Sequence, residues 1–255
     1  MIKFVTFNLR CDHNQDGENC FVYRQPLILK TIGEEQPDLI CFQEVLPHMA
    51  ACLKRSLRDY YVIGCGRGEK LDGEQMSIAF RSDRFSLMEM RTVWLSETPD
   101  LPGSRYPGQS SCPRTCTEAL LMETETGRVL RVLDTHLDHV GAEARRLGLE
   151  QILRLLKQAE LFPDAPVILA GDFNAAPDSP ELASIRRCPD FRDATEGIGI
   201  TYHGYMRAEH PALIDYIFIR GPLECLGVKK WEQTENGVFL SDHFPVCVEL
   251  KWADE

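Results

Sequence analysis

Val-Ile-Leu-Ala-Gly-Asp-Phe-Asn, residues 167–174, joins an uninterrupted apolar run to a polar ending. A short apolar run of this kind is typical of a buried β-strand. Asp172 and Asn174 follow it two residues apart, so their side chains lie on the same side of an extended segment. Taken alone, such a pair after a strand is more often a turn former or a helix cap than a functional site. Its meaning depends on whether the pattern recurs.

The pattern recurs at five other places. In each of them a polar side chain borders an apolar, strand-like run, and the residues concerned are Asn8, Glu44, His136, Asp215 and the pair Asp242 and His243. Carboxylate and amide oxygens suit Mg²⁺ or Mn²⁺ better than Zn²⁺, because an octahedral shell leaves room for water and phosphate oxygens. The combined pattern therefore predicts a site for Mg²⁺ or Mn²⁺ where several strands end.

The periodicity along the chain predicts many strands and few helices. Strands are predicted at 2–8, 39–42, 61–64, 76–81, 85–95, 117–124, 129–135, 167–170, 215–219 and 246–250, and helices at 26–35, 48–58 and 143–161. The middle of the chain is expected to be antiparallel. This composition of elements indicates two packed sheets with helices outside. Since no repeat or linker divides the chain, we expect residues 1–255 to form a single domain.

The composition limits the partners. The 255 residues carry a formal net charge of −11, which disfavours stable binding of duplex DNA, because that binding relies on Lys and Arg side chains against phosphates. No apolar run is long enough to span a bilayer, and the N-terminus lacks a leader pattern, so we expect a cytoplasmic protein with no membrane partner. Reduced thiols are the favoured state of the ten cysteines. The oligomeric state stays open.

Six short motifs together resemble the endonuclease/exonuclease/phosphatase superfamily. They are Phe-Asn-Leu-Arg (7–10), Gln-Glu-Val (43–45), Thr-His-Leu-Asp-His (135–139), Gly-Asp-Phe-Asn (171–174), Ile-Asp-Tyr-Ile-Phe (214–218) and Ser-Asp-His-Phe-Pro-Val (241–246). The segment that begins at Trp94, together with residues 201–205, resembles a compact bacterial subgroup of that superfamily. The resemblance implies an α/β fold, a four-layer αββα sandwich of two mixed β-sheets with outer helices, and divalent-metal-dependent hydrolysis of a phosphate ester.

The resemblance also implies a role for each strand-end residue. Glu44, Asn8 and Asp242 would bind the metal, with Asn8 close to the substrate as well. Asp172 would orient and deprotonate the attacking water, and Asn174 would hold that water or a phosphate oxygen. His136 and His243 would face the phosphate, and Asp215 would hold the ring of His243. Whether His243 acts as acid, base or electrostatic clamp stays open.

Candidate substrate contacts are less specific. Arg81 and Arg114 could bind phosphate through their guanidinium groups, and either could equally form a surface ion pair. His139 could line the same cleft or be structural, and His203 could stack at the cleft rim, although a side chain packed within its loop is favoured. The segment 95–115 is rich in proline, glycine and hydroxyl side chains, and a loop of this length is usually functional.

Three functions are compatible with the sequence. The first is hydrolysis of a small phosphodiester or phosphomonoester. The second is a nuclease or 3′-exonuclease acting on short single-stranded nucleic acid, and the two differ in the length of the substrate. The third is a non-catalytic binding module with this fold, which predicts the loss of a central ligand; no such loss is present in the six motifs.

Overall fold

Two six-stranded mixed sheets face each other in the structure, a computed structural model that describes residues 1–253. The first sheet contains β1 (Ile2–Asn8), β2 (Leu39–Val45), β3 (Tyr60–Ile63), β4 (Gln75–Arg81), β11 (Leu223–Lys230) and β14 (Val246–Trp252). The second contains β5 (Phe85–Trp94), β6 (Thr115–Glu123), β7 (Val129–His136), β8 (Val167–Asp172), β9 (Phe191–Asp193) and β10 (Asp215–Arg220). A short ribbon of β12 (Thr234–Glu235) and β13 (Val238–Phe239) completes the strands of this part of the chain.

The strand order within each sheet is mixed. It is β11-β14-β1-β2-β4-β3 in the first sheet and β5-β6-β7-β8-β10-β9 in the second. The pairs β1–β2 and β7–β8 are parallel, and the other pairs in both sheets are antiparallel. The predicted antiparallel middle of the chain is confirmed by the β5–β6 and β6–β7 pairs.

Alternation along the strands divides the apolar side chains between two layers. Phe4 and Leu39 point into a core between the sheets, where they meet Val132 and Ile168 of the second sheet. Val5, by contrast, packs on the outer face of the first sheet. Central strands such as β1 and β8 are therefore buried on both sides, and this explains why they show as continuous apolar runs in the sequence.

The helices cover the two outer faces. Helices α1 (Phe21–Glu35) and α2 (Pro47–Ser56) pack on the first sheet, and α3 (Ala142–Lys157) and the short α4 (Ala183–Arg186) pack on the second. Single turns of 3₁₀ helix lie at Asn14–Asn19 and Pro180–Leu182. The predicted four-layer αββα sandwich is thus confirmed. None of the helices in residues 1–253 is long and apolar enough to cross a membrane.

Two helix boundaries differ from the prediction by about one turn. Helix α1 begins at Phe21 rather than Pro26, because Phe21 is buried and donates its backbone N–H to the Asp12 carboxylate. These tertiary contacts stabilise a helical turn before Pro26, which the sequence pattern did not predict. Helix α3 ends at Lys157 rather than at residue 161, and the carbonyl oxygen of Leu161 instead accepts a hydrogen bond from Arg131.

Candidate active site

The strand directions bring the six polar strand ends to one edge of the sandwich. β7 and β8 are parallel and end at His136 and Asp172, which are register partners. β10 runs antiparallel to β8 and begins at Asp215, the partner of Asp172 on the other side. In the first sheet, β1 ends at Asn8, and the antiparallel β14 begins just after His243. Residues distant in sequence therefore meet in one cleft.

Gly171 fixes the approach of β8 to β7. Its backbone has a φ angle of +143°, and a Cβ atom at this position would overlap the backbone carbonyl oxygen of Thr135. Any other residue would force the two strands apart, just before the position of Asp172. The position thus requires the glycine of the Gly-Asp-Phe-Asn motif for a steric reason that is independent of catalysis.

Asp172 lies at the centre of the cleft and is almost fully buried. One carboxylate oxygen accepts the backbone N–H of Asn174 at 2.8 Å, and the other accepts the side-chain amide of Asn8 at 3.0 Å. Burial and the nearby negative charge of Asp215 raise the pKa of Asp172 to about 7. A carboxylate with this pKa can accept a proton from water near neutral pH.

His243 and Asp215 form a buried pair. The Nδ1 atom of His243 lies 2.8 Å from Asp215 Oδ2, and its Nε2 atom lies 3.9 Å from Asp172 Oδ2. Burial alone would lower the pKa of His243, but the Asp215 carboxylate outweighs it and raises that pKa to about 10. His243 is therefore an imidazolium at neutral pH, with its second N–H on the side of Asp172.

His136 differs from His243 in charge. Its Nε2 atom accepts the side-chain amide of Asn174 at 2.9 Å, and the same amide donates to the Leu137 carbonyl oxygen at 3.1 Å. Because the carbonyl requires the NH₂ group, the orientation of the amide is fixed. Burial and the positive charge of Arg114 lower the pKa of His136 well below its ordinary value. His136 is thus the neutral histidine of the two.

Glu44 projects into the cleft from an irregularity in β2. The pairing of β2 with β4 shifts between Phe42 and Val45, and Glu44 has a φ angle of +62°. Its carboxylate accepts the Cys11 backbone N–H at 2.8 Å and the Asn8 amide at 3.1 Å. The bulge re-aims this side chain away from the regular alternation of the strand.

Asp242 lies beside Glu44 on the cleft wall. It is mostly buried, and Arg10 Nε approaches its carboxylate at 3.7 Å. Glu44 and Asp242 therefore offer hard oxygen atoms in one place, and the donor chemistry fits Mg²⁺ or Mn²⁺. The side-chain oxygen of Asn8 accepts the Arg10 backbone N–H, and its NH₂ group bridges Glu44 and Asp172.

A second group of atoms also has metal-like spacing. One ligand atom each from Asp172, Asp215 and His243 lies within 4.8 Å of the others. The hydrogen bond between Asp215 and His243 already explains part of this proximity, and it occupies the His243 nitrogen that faces Asp215.

Arg114 and His139 lie on another wall of the same cleft. Arg114 is buried and donates from Nη2 to His139 Nδ1 at 2.7 Å. Asp138 organises the surrounding loops, because its carboxylate accepts the backbone N–H groups of Ser110 and Gly141. The loop 95–115 is thereby tied to the start of α3 and supplies Arg114 to the cleft.

Two predicted substrate contacts lie away from the cleft walls. Arg81 is at the opposite end of β4 and forms a surface ion pair with Asp83 at 2.6 Å. Its distance from the site follows from the antiparallel direction of β4, which brings Gln75 and not Arg81 to the cleft edge. His203 is buried and stacks on Phe244 with ring centroids 4.0 Å apart. Both side chains therefore have structural partners instead of cleft positions.

The structure also adds residues that sequence patterns did not single out. Arg10, Arg67, Glu74, Cys11 and His13 line the cleft, which has a volume of about 520 Å³. Arg10 follows Asn8 within the Phe-Asn-Leu-Arg motif, so its position could have been inferred. Arg67 and Glu74 lie in the turn-rich segment between β3 and β4, where no strand-end signal marks them.

Comparisons with known proteins agree with this fold. The sequence profile described as the Endonuclease/Exonuclease/phosphatase family matches residues 5–243. A solved endonuclease/exonuclease/phosphatase from Bacteroides vulgatus is 30% identical, with a TM-score of 0.92 and 98% of each chain covered. The mannosyl-6-phosphatase of Bacteroides thetaiotaomicron is 26% identical, with a TM-score of 0.89, covering 99% of this chain and 100% of that one.

The match to a curated relative covers a smaller share of both chains. Protein angel of Drosophila melanogaster is 23% identical over 215 residues, which make up 76% of this chain and 57% of that protein. The chain therefore spans little more than half the length of this relative.

Proposed function

Since the chain belongs to the Endonuclease/Exonuclease/phosphatase family, we propose that it hydrolyses a phosphate ester of a small molecule with the help of Mg²⁺ or Mn²⁺. The observation that carries the proposal is the cleft itself, where the carboxylates of Glu44, Asp172 and Asp242 face the histidines His136 and His243. Water attack on a phosphate ester needs a base, positive charge for the phosphate and support for the leaving oxygen.

Asp172 is the residue that fits the base. Its carboxylate has a pKa of about 7, and Asn8 and the Asn174 backbone fix its orientation. At neutral pH it can therefore take a proton from a water held in the cleft. Asn174 hydrogen-bonds to both Asp172 and His136, so one residue holds the two side chains on either side of the attacking water.

His243 fits the electrostatic clamp. It is charged at neutral pH because Asp215 is buried against it, and a charged imidazole stabilises a phosphate oxygen without first accepting a proton. The same state makes His243 a poor general base. Of the three roles that the sequence left open, we infer the clamp.

Glu44 and Asp242 would hold the divalent cation, and the hydrogen bond from the Asn8 amide would orient the Glu44 carboxylate. When bound there, the cation supplies Lewis-acid stabilisation of the phosphate charge. Arg10 bridges Asp16 and Asp242 and so restrains the Asp242 carboxylate.

A small substrate is supported by the volume and charge of the site. A cleft of about 520 Å³ in a chain of net charge −11 suits a small molecule better than a duplex. The similarity to a mannosyl-6-phosphatase supports a phosphomonoester such as a sugar phosphate as the first substrate to test. Short single-stranded nucleic acid is the second candidate, because Tyr202 lies on the cleft wall and offers an aromatic face.

The test compares four substrates in Mg²⁺ or Mn²⁺: mannose 6-phosphate, p-nitrophenyl phosphate, bis-p-nitrophenyl phosphate and a short fluorescent oligonucleotide. We expect turnover of at least one small ester, abolished by EDTA and by Asp172→Asn and retained by Arg81→Gln, whose side chain lies outside the cleft. Shortening of the oligonucleotide alone would favour the nuclease. No turnover of any substrate, together with no metal binding by calorimetry, would favour a non-catalytic module.

A further inference from the structure

The cleft has two ends of opposite charge. Glu44, Asp172 and Asp242 form the acidic end, where the sheets' strand ends meet. Arg67, Arg114 and His139 also line the cleft, and they come from loops instead of strand ends; we call these three side chains the basic end. The proposed hydrolysis uses only the acidic end and its histidines, so the basic end has no assigned role.

Arg67 is held rigidly but incompletely paired. Its backbone carbonyl accepts the Trp94 indole N–H at 2.6 Å, and its backbone N–H donates to the Glu74 carbonyl oxygen at 2.9 Å. The guanidinium donates from Nη2 to the Glu74 carboxylate at 2.7 Å. Its Nη1 atom is buried and has no acceptor among residues 1–253. A fixed backbone thus presents a guanidinium with unused donors.

Arg114 shows the same deficit. Among residues 1–253, only Asp138 lies close enough to form an ion pair with it, at 3.4 Å, and Asp138 already accepts the N–H groups of Ser110, Val140 and Gly141. Nη2 donates to His139, and Nη1 is buried without an acceptor in the described part of the chain. Arg114 therefore has one long ion pair, to Asp138, and one buried donor without an acceptor.

Two buried guanidinium groups in one wall are costly when some of their donors have no acceptor. Side chains of both arginines are more than nine-tenths buried, and the positive charge of Arg67 adds to burial in lowering the pKa of Arg114. An unpaired buried donor costs free energy, and repulsion between like charges adds to that cost. A phosphate group has enough oxygen atoms to accept hydrogen bonds from two guanidinium groups at once.

We propose that Arg67, Arg114 and His139 form a second anion subsite, which binds a phosphate group of the substrate other than the one being hydrolysed. The inference rests on the proposed function and narrows its class of substrates. The substrates would be small molecules that carry two phosphate groups, one reacting at the acidic end and one bound at the basic end.

Anion binding without hydrolysis tests the subsite directly. Inorganic phosphate is titrated by calorimetry into the full-length protein in EDTA, where the acidic end carries uncompensated negative charge and repels the anion. We expect one bound phosphate, and both Arg67→Gln and Arg114→Gln should weaken its binding by about ten-fold or more. Arg81→Gln is the matched control, since Arg81 is an arginine paired at the surface, and should leave binding unchanged. Absence of binding, or equal binding by all four proteins, overturns the subsite.

A measurement on the unchanged protein covers the case in which a buried arginine variant does not fold. The NMR ring signals of His139, which is exposed at the cleft, should shift as phosphate is added in EDTA, and those of the exposed His210, which does not line the cleft, should not. Unshifted His139 signals at phosphate saturation would contradict the assignment.

A kinetic comparison separates this inference from the proposed function. With metal present, a nucleoside 3′,5′-bisphosphate should have a KM about ten-fold below those of the two monophosphates, and Arg67→Gln should remove that advantage, whereas Arg81→Gln should retain it and leave kcat for the monophosphates unchanged. Hydrolysis of all three with equal KM would retain the phosphoesterase and overturn the subsite. Phosphate binding in EDTA without any metal-dependent hydrolysis would retain the subsite and refute the function.

Discussion

Gly171 offers the sharpest test of how the fold positions the site. Replacing it by alanine would place a methyl group against the Thr135 carbonyl oxygen, in the parallel pairing of β7 and β8. The φ angle of +143° adds strain for any residue with a side chain. We expect Gly171→Ala to destabilise the protein and also to displace Asp172, which is the next residue.

The size of the effect follows from two contributions. A non-glycine residue in this backbone region costs about 1–3 kcal/mol. Separation of the strands to relieve the overlap loses roughly one ladder hydrogen bond, worth about 1 kcal/mol. The sum of about 3 kcal/mol corresponds to a Tm lower by about 6–12 °C for a chain of this size.

Gly127→Ala supplies the matched control. Gly127 lies in the turn before β7 with a φ angle of +70°, and nothing lies within 4 Å of a Cβ atom built there. Its replacement therefore costs the backbone strain alone, about 1–2 kcal/mol. Urea denaturation of both variants and assays of their metal-dependent turnover compare the two effects. If Gly171→Ala were as stable and as active as Gly127→Ala, the contact with Thr135 would not hold the strands and the site in place.

Four further outcomes follow from the site. Asp215→Asn should lower kcat by roughly 10²-fold or more, because His243 loses the charge that keeps it cationic; an unchanged steady-state kcat would refute the clamp. The pKa of Asp138 is about 2 despite burial, because Ser110 and loop N–H groups donate to its carboxylate. The ionised carboxylate should therefore stabilise the fold fully above the ordinary pKa of about 3.9. The stability advantage of the wild type over Asp138→Asn should accordingly shrink as the pH falls from 6 toward 2, as measured by urea denaturation; a margin independent of pH would contradict the depressed pKa. Cys112→Ser should retain metal-dependent turnover in the same assay, and its loss would point to a thiol mechanism. Arg81→Gln should leave kcat/KM within about two-fold of the wild type, because its guanidinium is paired outside the cleft.

The strand ends were predictable because their signal is local. An apolar run followed by a polar residue, as in residues 167–174, reports both the strand and the place where it leaves the core. Residues identified in this way include Asp172 and Glu44, which the structure brings into one cleft. Arg81 also follows an apolar strand, but β4 runs in the opposite direction, so the same local pattern placed it at the wrong edge.

Other site residues were not predictable because their role depends on contacts between distant segments. Arg67 lies in a turn with no periodic signal, and it reaches the cleft because Trp94 and Glu74 hold its backbone. The charge state of a histidine is equally non-local: His243 is cationic through Asp215, and His136 is neutral through burial and Arg114.

The sequence by itself determined the alternation of buried strands and outer helices, the six polar strand ends and a donor chemistry suited to Mg²⁺ or Mn²⁺. These properties depend on residue type and on spacing along the chain, which the sequence states directly. The tertiary structure alone decided which strand ends share an edge, how Asn8 orients its amide, and which arginines face the cleft. Those outcomes depend on strand direction, on hydrogen-bond partners far apart in sequence and on burial, and each of these exists only once the two sheets have packed together.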